Sequence, residues 1–199
     1  MQPIVLASTS IYRKQLLERI IPSFECVAPN VDESPREAET PWDLVRRLSV
    51  EKAQAVAQHK NAIVIGSDQV GALSDRILTK PLDQTTAVDQ LMATSGRTVQ
   101  FLTGLCVYDS RSGESRSGVD TVTVRFRPFS RAQAQAYVER EQPLDCAGSF
   151  KVEGLGIALF EEVRSGDPTS LEGLPLIMLT EFLRQLGADP LDLTPLLRR

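Results

Sequence analysis

Few residues of this chain can do polar chemistry at a defined point, and their placement is uneven. Asp68 follows an apolar run in IVIGSDQV, and an acidic Pro/Asp/Glu-rich stretch from Pro29 to Pro41 carries Asp32 and Glu33. Arg13 and Lys52 sit in otherwise apolar patterns, and Lys80 stands directly before Pro81. The single histidine is His59, and Cys26, Cys106 and Cys146 lie far apart with no Cys-x-x-Cys pair. This argues against zinc and against Ser–His or Cys–His catalysis. Any metal must then be held through oxygen, which suits magnesium or manganese. No Walker A loop occurs, and Gly-Leu-Gly at 154–156 lacks the third glycine of a Rossmann fingerprint. Neither standard phosphate loop accounts for the basic residues.

Composition narrows the partners. The chain has 199 residues, 42% of them hydrophobic and 24% charged, enough for one good core and a single domain over 1–199. A net charge of -4 gives none of the broad positive field that binds polymeric nucleic acid. The opening MQPIVLAS has no basic leader region, and no apolar run approaches the roughly 20 residues needed to span a bilayer, so no membrane association and a cytosolic location are expected.

The elements that must position these residues follow from periodicity and turn chemistry. PIVLA at 3–7 reads as a buried strand, and Ser-Thr-Ser can cap a helix from about Ile11 to Ile21. After the acidic loop come a long amphipathic helix from about Trp42 to Lys60, a strand at 62–66 and a short hairpin over 70–78. A helix over about 85–94 ends at Ser95-Gly96. Strands at 98–108 and 119–127 flank the turn-rich SRSGESRSG, with Val122, Val124 and Phe126 alternating as the buried face. A helix near 131–140, a glycine-punctuated segment at 147–160 and a closing helix over about 174–186 complete the chain. Alternating strands and helices with a long hairpin imply an α/β fold with a mixed sheet.

Three charged residues then stand out. On the first helix Leu16, Leu17 and Ile20 form one stripe, and Arg13 falls between Ile20 and Leu17. From the first turn it can reach past the helix N-terminus, where backbone N–H groups favour an anion. A phosphate ligand and an arginine snorkelling from the edge of the core both fit that position. On the second helix Leu44, Val45, Leu48, Ala55 and Val56 share a stripe, with Arg46, Arg47, Gln54 and Gln58 opposite. Lys52 falls inside the stripe and needs a carboxylate, a phosphate or a water-filled cleft; a structural salt bridge serves as well as a ligand. The strand before Gly66-Ser67 would deliver Asp68 and Gln69 at its carboxyl end, the edge where open α/β sheets bind ligands. A turn aspartate is the plainer alternative.

Taken in order, LASTSIYRKQLL (6–17), VDE (31–33), EKA (51–53), GSDQV (66–70), LTKP (78–81), AGSFKVEG (147–154) and GLPL (173–176) resemble the Maf family of nucleotide pyrophosphatases. The resemblance implies an inosine-triphosphatase-like fold, a mixed twisted sheet flanked by helices with two lobes around a cleft. It also implies a divalent metal and a homodimer. The GSDQV and FKVEG stretches look most like the branch that hydrolyses 7-methyl-GTP to 7-methyl-GMP and pyrophosphate.

Matched motif by motif, the resemblance makes Asp68 the acid/base that activates water, with Glu33 and Asp68 holding the metal. Ser8, Arg13, Lys52 and Lys80 would surround the triphosphate, and Tyr12, Gln69 and Glu153 would choose the base. Such cations would absorb charge building on the pyrophosphate leaving group. A carboxylate such as Glu153 can accept the two adjacent donors of guanine, and a ring made cationic by N7 methylation is attracted to Glu153 and to the face of Tyr12. Ile11 stands where the family commonly has proline, and Tyr12 where this branch has tryptophan. Two other readings share the pattern: the dTTP- and UTP-hydrolysing branch, against which Glu153 argues, and a nucleotide-sensing regulator of cell division.

Overall fold

Strand β1 (Ile4–Leu6) sends Ile4 and Leu6 to one face and Val5 to the other, all buried, and this alternation organises a layer on each side of it. The computed structural model describes residues 2–74 and 76–193. The chain divides into two compact units. The first comprises the residues up to Asp68, Thr103–Asp120 and the residues from Asp167 onward; the second comprises Gln69–Leu102 and Thr121–Gly166.

In the first unit, α1 (Ile11–Glu18) starts at Ser10, whose side chain accepts the Arg13 N–H. The expected end near Ile21 is three residues late, although Ile21 still donates its N–H to Leu17. Pro22 prevents any further turn. The two-residue edge strand β2 (Glu25–Cys26) pairs parallel with β1. It was not expected, because two exposed residues carry no periodicity. Helix α2 (Pro41–Ala57) begins with Thr40 capping the Asp43 N–H and Pro41 in the first turn, and it buries Leu44, Val45, Leu48, Ser49, Lys52, Ala53, Val56 and Ala57.

Strand β3 (Ile63–Leu73) pairs parallel with β1. Here the expectation of a strand ending in Gly-Ser is corrected: β3 runs through Gly66 and Ser67 without a turn, and Asp68 lies mid-strand. Gly66 serves close packing, since a Cβ there would run into the Ser49 carbonyl and the Ala53 amide of α2.

Strands β5 (Thr98–Asp109) and β6 (Ser115–Phe126) also pass from one unit to the other. β6 starts four residues before its expected position, and a Cβ on Gly118 would press on Met178 and Phe182 of α5 (Leu176–Gln185). A four-residue α6 (Pro190–Leu193), too short to show a period, follows. One core of this unit joins Ile4, Leu6, Ile63, Ile65, Leu105 and Val107 to α1 and α5. The opposite core joins Val5, Ala7, Val64 and Cys106 to α2. Helices therefore cover both faces of these strands.

In the second unit, the expected hairpin is the end of β3 with β4 (Arg76–Leu78), antiparallel. Helix α3 (Gln84–Thr94), capped by Asp83, packs against α4 (Arg131–Glu141), which opens with a capping box of Ser130 and Gln133. The glycine-punctuated segment forms short 3₁₀ turns at Ala147–Ser149 and Leu155–Leu159. It leads into β7 (Phe160–Arg164), antiparallel to β6. That strand was masked in the sequence by Glu161, Glu162 and Arg164, charges suited to a short edge strand. Phe101, Phe126, Phe150 and Phe160 meet edge to face with centroids 5.0 to 5.9 Å apart. Val122, Val124 and Phe126 are buried as their alternation required. Among the described residues the sheet order is β2-β1-β3-β5-β6-β7, with β4 beside β3, and parallel and antiparallel pairs make it mixed.

Candidate active site

The buried stripe of α2 carries Lys52 at 4% exposure, and its ammonium is an ion-pair hub. The Nζ donates to Asp68 Oδ1 at 2.6 Å and lies 2.7 Å from Glu33 Oε1. Asp68 is itself buried at 7%, whereas the Glu33 side chain is 55% exposed and arrives from the loop ahead of α2. Two elements distant in sequence thus close on one cation. Lys52 is thus ion-paired, and its partners are the two carboxylates of the expected metal site.

Arg13 reaches the same region from α1. Its Nε donates to the Gly173 carbonyl at 2.8 Å, and the side chain is half-buried. Burial lowers its pKa, while the charges of Asp68 and Glu33 act in the opposite direction; a guanidinium stays charged under such competition. Ser67, beside Asp68 in β3, donates its hydroxyl to the same Gly173 carbonyl at 3.0 Å. One backbone oxygen therefore ties Arg13 to the strand segment that holds Asp68. Gly173 has φ of 102°, a conformation that L side chains rarely adopt.

The loop presenting this carbonyl is internally braced. Asp167 accepts the Thr169 N–H and the Ile177 N–H at the start of α5, and the Thr169 hydroxyl accepts the Leu176 N–H. Ser8, two residues beyond β1, is buried at 6%, and its hydroxyl accepts the Ser10 N–H. Tyr12 is half-buried at the start of α1.

The structure thus brings Glu33, Lys52 and Asp68 into direct contact, with Arg13 close enough to feel both carboxylates. Gln69, Lys80 and Glu153 belong to the second unit: Gln69 is half-buried in β3, Lys80 is exposed after β4, and Glu153 is exposed in the turn closed by the Gly154 N–H on the Lys151 carbonyl. Ser67 and Gly173 were not singled out in the sequence. Ser67 falls where the strand was expected to end, and Gly173 acts through a backbone carbonyl that no residue type announces. Arg47, expected on the solvent face of its helix, has a side chain only 13% exposed, which meets Glu39 of the loop and Glu51 of its own helix.

The carboxylate pair fits the metal that the resemblance implies. Among the described residues no group of three or more His, Cys, Asp or Glu side chains is placed to hold a metal ion. Two carboxylates that already share a cation match magnesium, which binds through one or two carboxylates and takes its remaining ligands from water and substrate phosphates.

Comparison with known proteins gives a consistent picture. The family model described as Maf-like protein matches residues 3–186. A 7-methyl-GTP pyrophosphatase of Pseudoalteromonas translucida (strain TAC 125) is 50% identical over 191 residues, covering 96% of this chain and 95% of the relative. One of Vibrio vulnificus (strain CMCP6) is 50% identical over 188 residues, covering 94% and 97%. The Staphylococcus aureus Ham1 protein superposes with a TM-score of 0.51 at 15% identity, covering 93% of this chain and all of that one. That likeness concerns the fold alone, and it agrees with the expected inosine-triphosphatase-like sheet. A match running through both units, with relatives this similar over nearly their whole length, establishes that the chain belongs to the Maf family.

Proposed function

We propose that this protein hydrolyses 7-methyl-GTP to 7-methyl-GMP and pyrophosphate, with Asp68 as the group that takes the proton from water. The observation that carries the reading is the contact of Lys52 with Asp68 and Glu33. That contact supports the reading because it gathers the carboxylate proposed to activate water, the proposed second oxygen ligand and a buried cation at one point. The naming of the relatives at 50% identity supports the choice of substrate.

In this mechanism Lys52 holds one oxygen of Asp68 and so sets the direction in which the carboxylate meets a water. Arg13, fixed at its Nε by the Gly173 carbonyl, turns the rest of its fork to the phosphates and takes up charge as the bond between the α and β phosphates breaks. Ser8 and Lys80 complete the phosphate contacts. Magnesium or manganese bound by Glu33, Asp68 and the phosphates would supply electrostatic stabilisation of the same charge.

Base choice is assigned to Tyr12, Gln69 and Glu153. Glu153 accepts the paired donors of guanine, and the cationic 7-methyl ring gains cation–π attraction to Tyr12 of about 0.5 to 2 kcal/mol that GTP lacks. The family match runs through both compact units, which supports reading the chain as one functional domain. The same reading takes the enzyme as a cytoplasmic homodimer. No helix among the described residues is long and apolar enough to cross a membrane.

A nucleotide panel with pyrophosphate release detected by a coupled pyrophosphatase tests the assignment. Turnover should be fastest with 7-methyl-GTP and slower with GTP. Equal turnover of dTTP or UTP would overturn the base assignment.

A further inference from the structure

The segment between β2 and α2, residues 27–40, carries Glu33 to the site yet contains no helix or strand. Long irregular loops are uncommon unless they serve a function or are disordered, and something must hold this one in a single conformation. Its backbone is demanding: Asn30 and Ala38 have φ of 47° and 58°, the left-handed region that non-glycine residues rarely occupy.

Besides Lys52, α2 fastens the loop through a network centred on Arg47. The Arg47 Nε and Nη2 grip Glu39 at 2.6 and 2.7 Å, a bidentate pair. Its Nη1 donates to Glu51, one helical turn on, at 2.9 Å. Its Nη2 also donates at 3.1 Å to the carbonyl of Ser34, the residue directly after Glu33. Arg36 closes the network, donating from its backbone N–H to Glu39 and from its side chain to Glu51, both at 2.9 Å. The loop therefore lies along α2 with Glu39 and Ser34 at Arg47, Arg36 at Glu51 and Glu33 at Lys52. Arg47 keeps Glu39 ionised well below the usual carboxylate range, at about 2, so the clamp stays charged at any neutral pH.

We propose that Arg47 is a positioning residue for the hydrolytic site: by clamping the Ser34 carbonyl and the Glu39 carboxylate to α2, it fixes where Glu33 meets Lys52 and Asp68. Arg47 touches none of the expected reacting groups; it acts through the peptide that carries Glu33. The catalytic part of this inference rests on the function proposed above, whereas the clamping itself does not.

Two measurements test it. In native-state cleavage by a glutamyl endopeptidase, Arg47→Met should be cut after Glu33, Glu37 or Glu39 at least tenfold faster than the parent. Arg47→Lys, which keeps the charge but loses the fork, should fall between them. In a cycle with Glu33→Gln, Arg47→Met should lower kcat/KM tenfold or more when Glu33 is present and less than twofold when it is already replaced. The same fold-loss in both backgrounds would overturn the positioning role, because it would mean that Arg47 acts independently of Glu33. Unchanged cleavage of the loop in either Arg47 variant would overturn the clamp. A parent protein that hydrolyses no nucleoside triphosphate would instead sink the functional reading, while the cleavage rates would still decide the clamp.

Discussion

Replacing Lys52 by methionine probes both halves of the site at once. Lys52 is 4% exposed, and its ammonium neutralises Asp68, itself 7% exposed, at 2.6 Å. Removing one member of a buried pair typically costs about 3–5 kcal/mol, because the other charge is stranded. Two features of the structure place the cost at the lower end. Glu33 is largely exposed and returns to water at little penalty, an interaction worth about 0–1 kcal/mol. Arg13 stays close enough to compensate part of the Asp68 charge. We therefore expect Lys52→Met to lose about 3 kcal/mol, a fall in Tm of about 6–12 °C at the usual 2–4 °C per kcal/mol for a protein of this size. Adding Asp68→Asn removes the stranded charge, so the double variant should be more stable than the sum of the single losses by about 2 kcal/mol. Urea unfolding of the four proteins in the cycle measures this coupling. Losses that add to within about 0.5 kcal/mol would refute the buried pair as the reason for lysine at this position.

Other outcomes follow from the same contacts. Ser67→Ala removes one of the two donors on the Gly173 carbonyl and should cost about 1 kcal/mol in urea unfolding, with a several-fold loss of kcat/KM as Arg13 loses its shared anchor. Gly66→Ala places a methyl group against the backbone of α2 and should destabilise by about 3 kcal/mol or prevent soluble expression, while a wild-type melting profile would contradict the close approach. Glu39 is depressed from 4.5 to about 2 when folded, so its stabilisation is complete above pH 4.5 and is lost as the pH falls towards 2. The stability gap between the parent and Glu39→Gln should accordingly be flat from pH 5 to 8 and close below about pH 4, as followed by urea unfolding across pH.

The legible parts of this structure were those encoded in local periodicity. The Ser10 cap and the alternation of Val122, Val124 and Phe126 each mark a face or a boundary that the folded chain keeps, whereas on α2 Ala53 is buried in place of the expected Ala55 and Arg47 is covered on the face expected to meet solvent. β2, β7 and α6 were missed because two to five residues cannot display a period or are dominated by edge charges. Gly66-Ser67 was misread as a strand end because a glycine that admits a neighbouring helix and one that makes a turn look alike in sequence.

The site divides in the same way. Arg13 and Lys52 were visible because a charge on an apolar stripe is an anomaly that needs a counter-charge. Ser67 and Gly173 were not, because their contribution is a hydroxyl on a backbone carbonyl more than a hundred residues away. Arg47 looked like an ordinary surface arginine because the Glu39 carboxylate and the Ser34 carbonyl that meet it come from an irregular loop.

Asp68, held by Lys52, is proposed to activate the water that cleaves 7-methyl-GTP. Steady-state hydrolysis of 7-methyl-GTP by the parent and by Asp68→Asn, with 7-methyl-GMP and pyrophosphate quantified separately, tests it most directly. Loss of a general base should lower kcat by about 10²–10⁴-fold with KM changed only a few-fold, while the parent forms the two products in equal amounts. An Asp68→Asn protein that keeps more than a tenth of the parent kcat, or a parent that releases orthophosphate in place of pyrophosphate, would contradict it.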